Sequence, residues 1–152
     1  VVINLAGITG DGSTGQGTAT STSTVAGNSG VDTLRNVNFI EGSNSADTIT
    51  GSSALIFEQI EGQGGNDVLN GGAITDLINT DNANRVSYRF AGAGVVVDLA
   101  AGTATTTDIN AVNSSGNDTL SNFSQVRGSG HNDTLLGSSR LPPAPRDRPS
   151  GR

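Results

Sequence analysis

Two consecutive nine-residue units between Gly62 and Asn79 contain the residues best suited to chemistry in this 152-residue sequence. Each unit begins with a glycine-rich turn, followed by an aspartate and, two places later, an apolar residue. The aspartates are Asp67 and Asp76. Such a turn gathers backbone carbonyls and a carboxylate on one concave surface, and all-oxygen surroundings suit a hard cation such as calcium. We therefore predict a metal site with ligands from Gly62, Gly64, Asn66, Asp67 and Asp76.

Short strands must position these turns. Three residues of the form x-apolar-x make a strand that points one side chain inward, and six residues of Gly, Asn and Asp reverse the chain. Two units would then form one flattened coil. The same Asp-x-apolar pattern recurs elsewhere and supplies further candidate metal ligands, namely Asp32, Asp47, Asp118 and Asp133. An isolated aspartate of this kind can instead form an Asx turn, in which its side chain accepts a nearby backbone N–H.

The tandem of units resembles the nonapeptide repeats of the RTX, or haemolysin-type, calcium-binding proteins, whose pattern is G-G-x-G-x-D-x-U-x. The resemblance implies an all-β fold, a right-handed and mostly parallel β-roll or β-solenoid. It also implies calcium between turns on the same side, one coil of about 18 residues apart, with the aspartate as ligand. Here Arg85 stands 18 residues after Asp67, and Asp47 stands 20 residues before it. We therefore expect the unbroken ladder of sites to be absent.

An internal duplication defines the organisation of the chain. Residues 30–53 align without a gap on residues 116–139, with 12 of 24 positions identical, and similar strands begin at Val1 and Val95. Such a repeated unit is typical of repeat arrays. We predict a β-solenoid repeat domain over residues 1–139, with duplicated units at about 1–53 and 95–139 flanking the tandem at 62–79. The remaining segment, 140–152, holds all four prolines, so we expect a disordered tail.

Composition narrows the classes of partner. Residues 1–139 carry thirteen acidic side chains and four arginines, which predicts attraction of divalent cations and no binding of nucleic acid. No run approaches 18 apolar residues, which predicts no membrane insertion. The sequence has no cysteine, and it starts without Met or a basic and apolar leader. We expect a piece of a longer protein, located outside a bacterial cell or on its surface.

Little in the sequence indicates catalysis. The single histidine, His131, lies in a polar turn, and Glu58 and Glu61 lie three positions apart, an odd spacing that would place them on opposite faces of a strand. Phe39, Phe57 and Phe123 are predicted to fill the interior. We therefore predict a non-enzymatic calcium-binding structural segment that folds on calcium binding. Two alternatives remain open: a module that binds or modifies extracellular polysaccharide, and a calcium-independent solenoid that self-associates through its ends.

Overall fold

A computed structural model describes residues 1–9, 12, 14–22, 30–73 and 84–137, and this part of the chain is all-β. The predicted all-β class is confirmed. Each strand has three to five residues, as expected for short x-apolar-x segments between polar turns. The strands are β1 (Val2–Asn4), β2 (Gly17–Thr20), β3 (Val31–Leu34), β4 (Phe39–Glu41), β5 (Thr48–Thr50), β6 (Gln59–Glu61), β7 (Val68–Asn70), β8 (Arg85–Ser87), β9 (Val95–Asp98), β10 (Thr103–Thr106), β11 (Asn117–Ser121), β12 (Gln125–Arg127) and β13 (Thr134–Leu136).

The strands form two sheets. The larger has nine strands in the order β13-β9-β10-β11-β7-β5-β1-β2-β3, and the smaller has four in the order β12-β8-β6-β4. From β4 to β9 the chain passes alternately between the small sheet and the large sheet. Strand pairs are parallel wherever this alternation builds them, including β5 with β7 and β6 with β8.

Antiparallel pairs interrupt the parallel arrangement at two places. Among the described strands, β2 is antiparallel to both β1 and β3, and β10 is antiparallel to both β9 and β11. The large sheet is therefore mixed, unlike the uniformly parallel sheet of a simple roll. Each antiparallel strand is the middle strand of a three-stranded meander, because antiparallel neighbours need no crossover to the other sheet.

A row of apolar side chains on the inner face of each sheet forms the core. The large sheet contributes neighbouring residues in register from β1, β5, β7 and β11, and the small sheet contributes the central residues of β4, β6 and β8. Each of these side chains is at most 8% exposed, and full burial of a Leu, Ile or Val contributes about 1.5–3 kcal/mol. The rows are Ile3, Ile49, Leu69 and Leu120 in the large sheet and Ile40, Ile60 and Val86 in the small one.

The interior needs fewer aromatic rings than the sequence suggested. Phe123 is buried, as predicted, but Phe39 and Phe57 are 48% and 39% exposed, so that prediction was wrong for them. Phe39 adjoins the inward-pointing Ile40 and therefore faces outward, because side chains alternate along a strand. Phe57 lies under the guanidinium of Arg85, with 5.0 Å between the guanidinium carbon and the ring centre. No helix in the described residues is long and apolar enough to cross a membrane.

Candidate metal centre

The two sheets pack face to face as a sandwich. The turns that lead into strands of the large sheet form one edge of it, which we call the acidic rim and which carries Asp47, Asp67, Asp118 and Asp133. These residues stand at the starts of β5, β7, β11 and β13. The amide of Asp47 donates to Asp67 Oδ1 and the amide of Asp67 donates to Asp118 Oδ1, both at 2.9 Å. The backbone nitrogen of Val1 donates in the same way to Asp47 Oδ1. The Val95 amide, at the start of β9, donates to Asp133 Oδ1 at 2.9 Å, so each carboxylate accepts a hydrogen bond from the neighbouring segment of the sheet.

These hydrogen bonds form a ladder of aspartates despite the irregular sequence spacing, while the expected absence of an unbroken ladder of metal sites stays a prediction. Asp67 and Asp118 are 51 residues apart in sequence but adjacent in space, because the chain forms β8 in the small sheet and β9 and β10 farther along the large sheet before β11 pairs with β7. The 20-residue spacing from Asp47 to Asp67 arises because the intervening turn, residues 51–58, has eight residues in place of six. Irregular spacing in the sequence therefore does not interrupt the hydrogen bonds between these aspartates.

Two carboxylates of the rim are satisfied by a serine four residues earlier. Ser43 donates its amide to Asp47 Oδ2 and its hydroxyl to the same carboxylate at 3.0 Å. Ser129 makes the same two contacts with Asp133. Its amide donates to Oδ2 at 2.8 Å and its hydroxyl donates to Oδ1 at 2.7 Å. Both turns have the sequence Gly-Ser at their start, so the serine amide and hydroxyl satisfy the carboxylate within its own turn.

Asp67 has no such serine. Its turn has Gln63 at the corresponding position, with a positive φ of 74°, and the Asp67 side chain is 1% exposed. Oδ1 accepts the Asp47 amide, but Oδ2 is buried without a hydrogen-bond partner. A buried carboxylate oxygen with no donor is costly unless it gains a proton or a cation. Asp67 is therefore the aspartate of the rim whose environment is incomplete.

Burial shifts the acidity of this part of the rim. Desolvation raises the pKa of Asp67 to about 6, with the neighbouring Asp47 charge adding to the effect and the Asp47 amide opposing it. Desolvation also raises the pKa of Asp118 to about 7, with the Asp67 charge adding and the hydrogen bond from Tyr88 opposing. Tyr88 donates its hydroxyl to Asp118 Oδ2 at 2.9 Å. Both oxygens of Asp118 thus have protein donors.

The opposite edge of the sandwich, which we call the amide rim, holds Asn38, Glu58 and Asn84 immediately before β4, β6 and β8. The Glu58 amide donates to Asn84 Oδ1 at 2.7 Å, which repeats the hydrogen bond between successive aspartates on the acidic rim. Glu58 is fully buried; Oε2 accepts the Ser52 amide at 2.8 Å, while Oε1 has no partner. Desolvation raises the pKa of Glu58.

Sequence reasoning did not include Glu58 and Asn84 among the metal candidates, although a signal was present. Each stands two residues before an inward apolar residue, Ile60 or Val86, which is the place that aspartate takes in the repeat pattern. A search that allowed Glu or Asn at this position would have found them.

The other predicted ligands lie at different places. The Gly64 amide donates to the Ser43 carbonyl at 3.1 Å, and Asn66 Oδ1 accepts the Asn117 amide at 2.9 Å. Asp32 is exposed on β3, away from the ladder. Asp76 lies outside the described residues. Among those described, no three acidic or histidine side chains converge, so backbone carbonyls would have to provide most ligands.

The residues of the turn fit a calcium ion. A Cβ on Gly42 would stand between Asp47 Oδ2 and the Gly62 carbonyl, and a Cβ on Gly62 would collide with Asp67 Oδ2, so the missing side chains leave room for oxygen atoms facing one another. Together with the unpartnered Asp67 Oδ2, these groups are hard oxygen donors. When bound, calcium supplies the positive charge that lets neighbouring carboxylates lie side by side.

Comparison with protein families identifies the repeat. Residues 36–54 and 58–84 match the model of the RTX calcium-binding nonapeptide repeat, in four copies. This match covers Asp47, Glu58, Asp67 and Asn84 and confirms the resemblance predicted from the sequence. Calcium is the ion that this repeat family binds. No curated protein and no solved structure gives a significant match to the chain.

Proposed function

We propose that this chain, in which residues 36–54 and 58–84 are RTX calcium-binding repeats, is a non-enzymatic structural segment of a secreted or cell-surface bacterial protein. In this proposal the repeats coil as a right-handed β-roll whose two sheets are the walls. Calcium binding completes folding outside the cell. The segment stabilises its parent protein and performs no chemistry of its own.

The observation that carries the proposal is the unpartnered, buried Oδ2 of Asp67 within a nonapeptide turn. Gly62, Gly64 and Asn66 would add main-chain carbonyls, and the turn of residues 42–47 would face the ion from the neighbouring coil. Few of these ligands are charged, which favours an affinity of about 10⁻⁴ to 10⁻³ M, the usual range of extracellular modules. A site this weak is empty at cytosolic calcium and filled outside.

Calcium should stabilise the fold by mass action. An ion that binds only the folded state adds about 2.7 kcal/mol when its concentration is 100 times Kd. For a chain of this size, that corresponds to a rise of roughly 5–10 °C in Tm. The metal-free chain should accordingly melt at lower temperature and lose β-sheet signal in chelator.

The test is a calcium titration of the wild type, Asp67→Asn and Asp108→Asn, followed by circular dichroism and isothermal titration calorimetry. Asn keeps the size of Asp but removes the charge, so we expect Asp67→Asn to weaken calcium binding at least tenfold and to abolish most of the rise in Tm. Asp108 is exposed in the segment between β10 and β11, so Asp108→Asn should behave as wild type.

A wild type whose spectrum and Tm are the same in calcium and in chelator would refute the proposal and leave a calcium-independent scaffold. Equal loss of calcium binding in both variants would show that net charge, and not the turn, attracts the ion. Magnesium at the same concentration serves as a control for ionic strength, because it prefers near-ideal octahedral sites with several waters.

A further inference from the structure

Within the part of the chain that the structure describes, the nine-stranded sheet ends on two open edges. Its outermost strands are β3 and β13, and no described strand pairs with the outer side of either one. An open edge presents unpaired N–H and C=O groups to which another strand can add. The internal duplication indicates which strand each edge would accept.

The duplicated segments build the same arrangement twice. In the first copy, β1, β2 and β3 form a meander and β5 pairs in parallel with β1. In the second copy, β9, β10 and β11 form the meander and β13 pairs in parallel with β9. Thus β3 corresponds to β11 and β5 corresponds to β13. The inner edges of both copies, at β5 and β11, are filled by the single strand β7.

Pairing with β7 shows what the two open edges lack. Against β11, the amide of Asp67 donates to Asp118 Oδ1, and the amide of Thr119 donates to the Asp67 carbonyl at 2.8 Å. The corresponding residues of β3 are Asp32 and Thr33. With β7 in place Asp118 is 5% exposed, whereas Asp32 is exposed.

The opposite edge shows the same difference. Against β5, the Asp47 amide donates to Asp67 Oδ1, and the apolar Ile49 is fully buried. In β13 the corresponding residues are Asp133 and Leu135, and Leu135 is 46% exposed. Leu135 is therefore partly exposed to water at this edge, although the corresponding Ile49 is buried.

We propose that these two edges bind each other between copies of the chain: β13 of one copy pairs in parallel with β3 of the next. Leu135 then lies beside Leu34, the Asp133 amide donates to Asp32 Oδ1, and the Thr33 amide donates to the Asp133 carbonyl. Both segments have the pattern Asp-x-apolar-x, at residues 32–35 and 133–136, so the new pair repeats the β7–β11 contact. The direction of every hydrogen bond in the acidic rim is preserved.

The two edges are different surfaces, so the contact is head-to-tail and does not close on itself after two copies. Contacts of this type produce open chains of molecules unless a rotation closes a ring. The two pairing strands have only four and three residues, so the interface is small. Interfaces below about 1,200 Å² are typically weak. Assembly should therefore depend strongly on concentration.

Analytical ultracentrifugation of the full chain, in calcium and at about 0.15 M salt to screen its net negative charge, tests the proposal. We expect the wild-type average mass to rise with concentration up to about 1 mM. Thr33→Pro and Leu135→Pro each remove an N–H that points to an outer edge, and Pro is tolerated on edge strands. Each variant alone should be monomeric, while an equimolar mixture should form a one-to-one dimer and nothing larger.

Two further variants distinguish this contact from misfolding and from non-specific association through exposed apolar side chains. Asp32→Ala keeps the strand and removes only the acceptor, so it should weaken assembly several-fold without changing the circular dichroism spectrum. Val112→Thr removes an 83% exposed apolar side chain distant from both edges in sequence and should assemble as wild type. A wild type that stays monomeric at 1 mM, or a Pro variant that still assembles alone with a native spectrum, would overturn the proposal.

Discussion

At the scale of single residues, a hydroxyl group decides whether a buried aspartate requires a cation. Ser43 satisfies Asp47 and Ser129 satisfies Asp133, so these carboxylates are complete within the protein. Asp67, which follows Gln63 in its turn, keeps one buried oxygen without a donor. The residue four places before the aspartate therefore distinguishes the turns of Asp47 and Asp133, which are satisfied without an ion, from the turn of Asp67.

Replacing Ser43 by alanine should destabilise the metal-free chain by about 1–2 kcal/mol, because the Asp47 carboxylate loses its hydroxyl donor while remaining buried. Urea unfolding after calcium removal measures this change. Ser124 is exposed, and Ser124→Ala should stay within about 0.5 kcal/mol of wild type. If both variants were equally stable, the hydroxyl of Ser43 would contribute nothing to the rim.

Glu58 provides a second residue-scale prediction. In Glu58→Gln the buried group is neutral, so the cost of an unpaired charge disappears, and we expect the metal-free chain to be as stable as wild type or more stable. If the amide rim also holds an ion, the calorimetric stoichiometry should fall by one. Glu41→Gln, at an exposed position of the small sheet, is the matched control and should keep the wild-type stoichiometry.

At the scale of elements, glycine allows successive turns to stack closely. Gly42, Gly62 and Gly128 each stand five residues before an aspartate of the acidic rim, and a Cβ at any of them would collide with that carboxylate. The carboxylate folds back over its own turn and occupies the space that a side chain would take. The Gly-to-Asp spacing is thus a steric requirement of the rim.

Gly62→Ala should accordingly destabilise the chain by about 1–3 kcal/mol and reduce calcium affinity, since the added methyl displaces Asp67. Thermal unfolding in calcium and in chelator reports both effects. Gly130 lies in the Asp133 turn, and a Cβ there meets nothing within 4 Å, so Gly130→Ala should be close to neutral. Equal destabilisation by the two substitutions would indicate a general loss of turn flexibility.

The positions of the strands could be predicted from the sequence, but the contacts between them could not. The Asp-x-apolar pattern located the strands at Ile49, Leu69 and Leu120, because one inward side chain per strand is enough to define them. It could not place Asp118 next to Asp67, because their contact depends on a three-strand detour whose length the pattern does not encode. Nor could the pattern predict that Asp67 Oδ2 is buried without a hydrogen-bond donor.

At the scale of the whole molecule, buried carboxylates link folding to pH. The folded-state pKa values of Asp67 and Asp118, about 6 and about 7, lie above the ordinary value of 3.8. Between roughly pH 4 and 7 the folded state therefore binds more protons than the unfolded state. Stability from this source is fully present below pH 4 and is lost as the pH rises through 6 and 7.

We expect the Tm of the metal-free chain to fall between pH 5 and 7.5, and the calcium affinity to rise over the same interval because protons and calcium compete. Differential scanning calorimetry after calcium removal, and calorimetric titrations with calcium, check the two trends. Asp118→Asn should flatten the dependence of Tm on pH. A metal-free Tm that rises over this interval would contradict the burial of these groups as ionisable acids.

Strands β8, β9 and β10 lie in the sequence between β7 and β11, which are neighbours in the large sheet. This order has a practical consequence for protein design and for the detection of related sequences. Because β11 pairs in register with β7 although three strands intervene in the sequence, the segment between β10 and β11 should accept a grafted peptide or a small inserted domain at little cost. By the same logic, scans that demand a constant period would overlook relatives whose units are separated by such excursions.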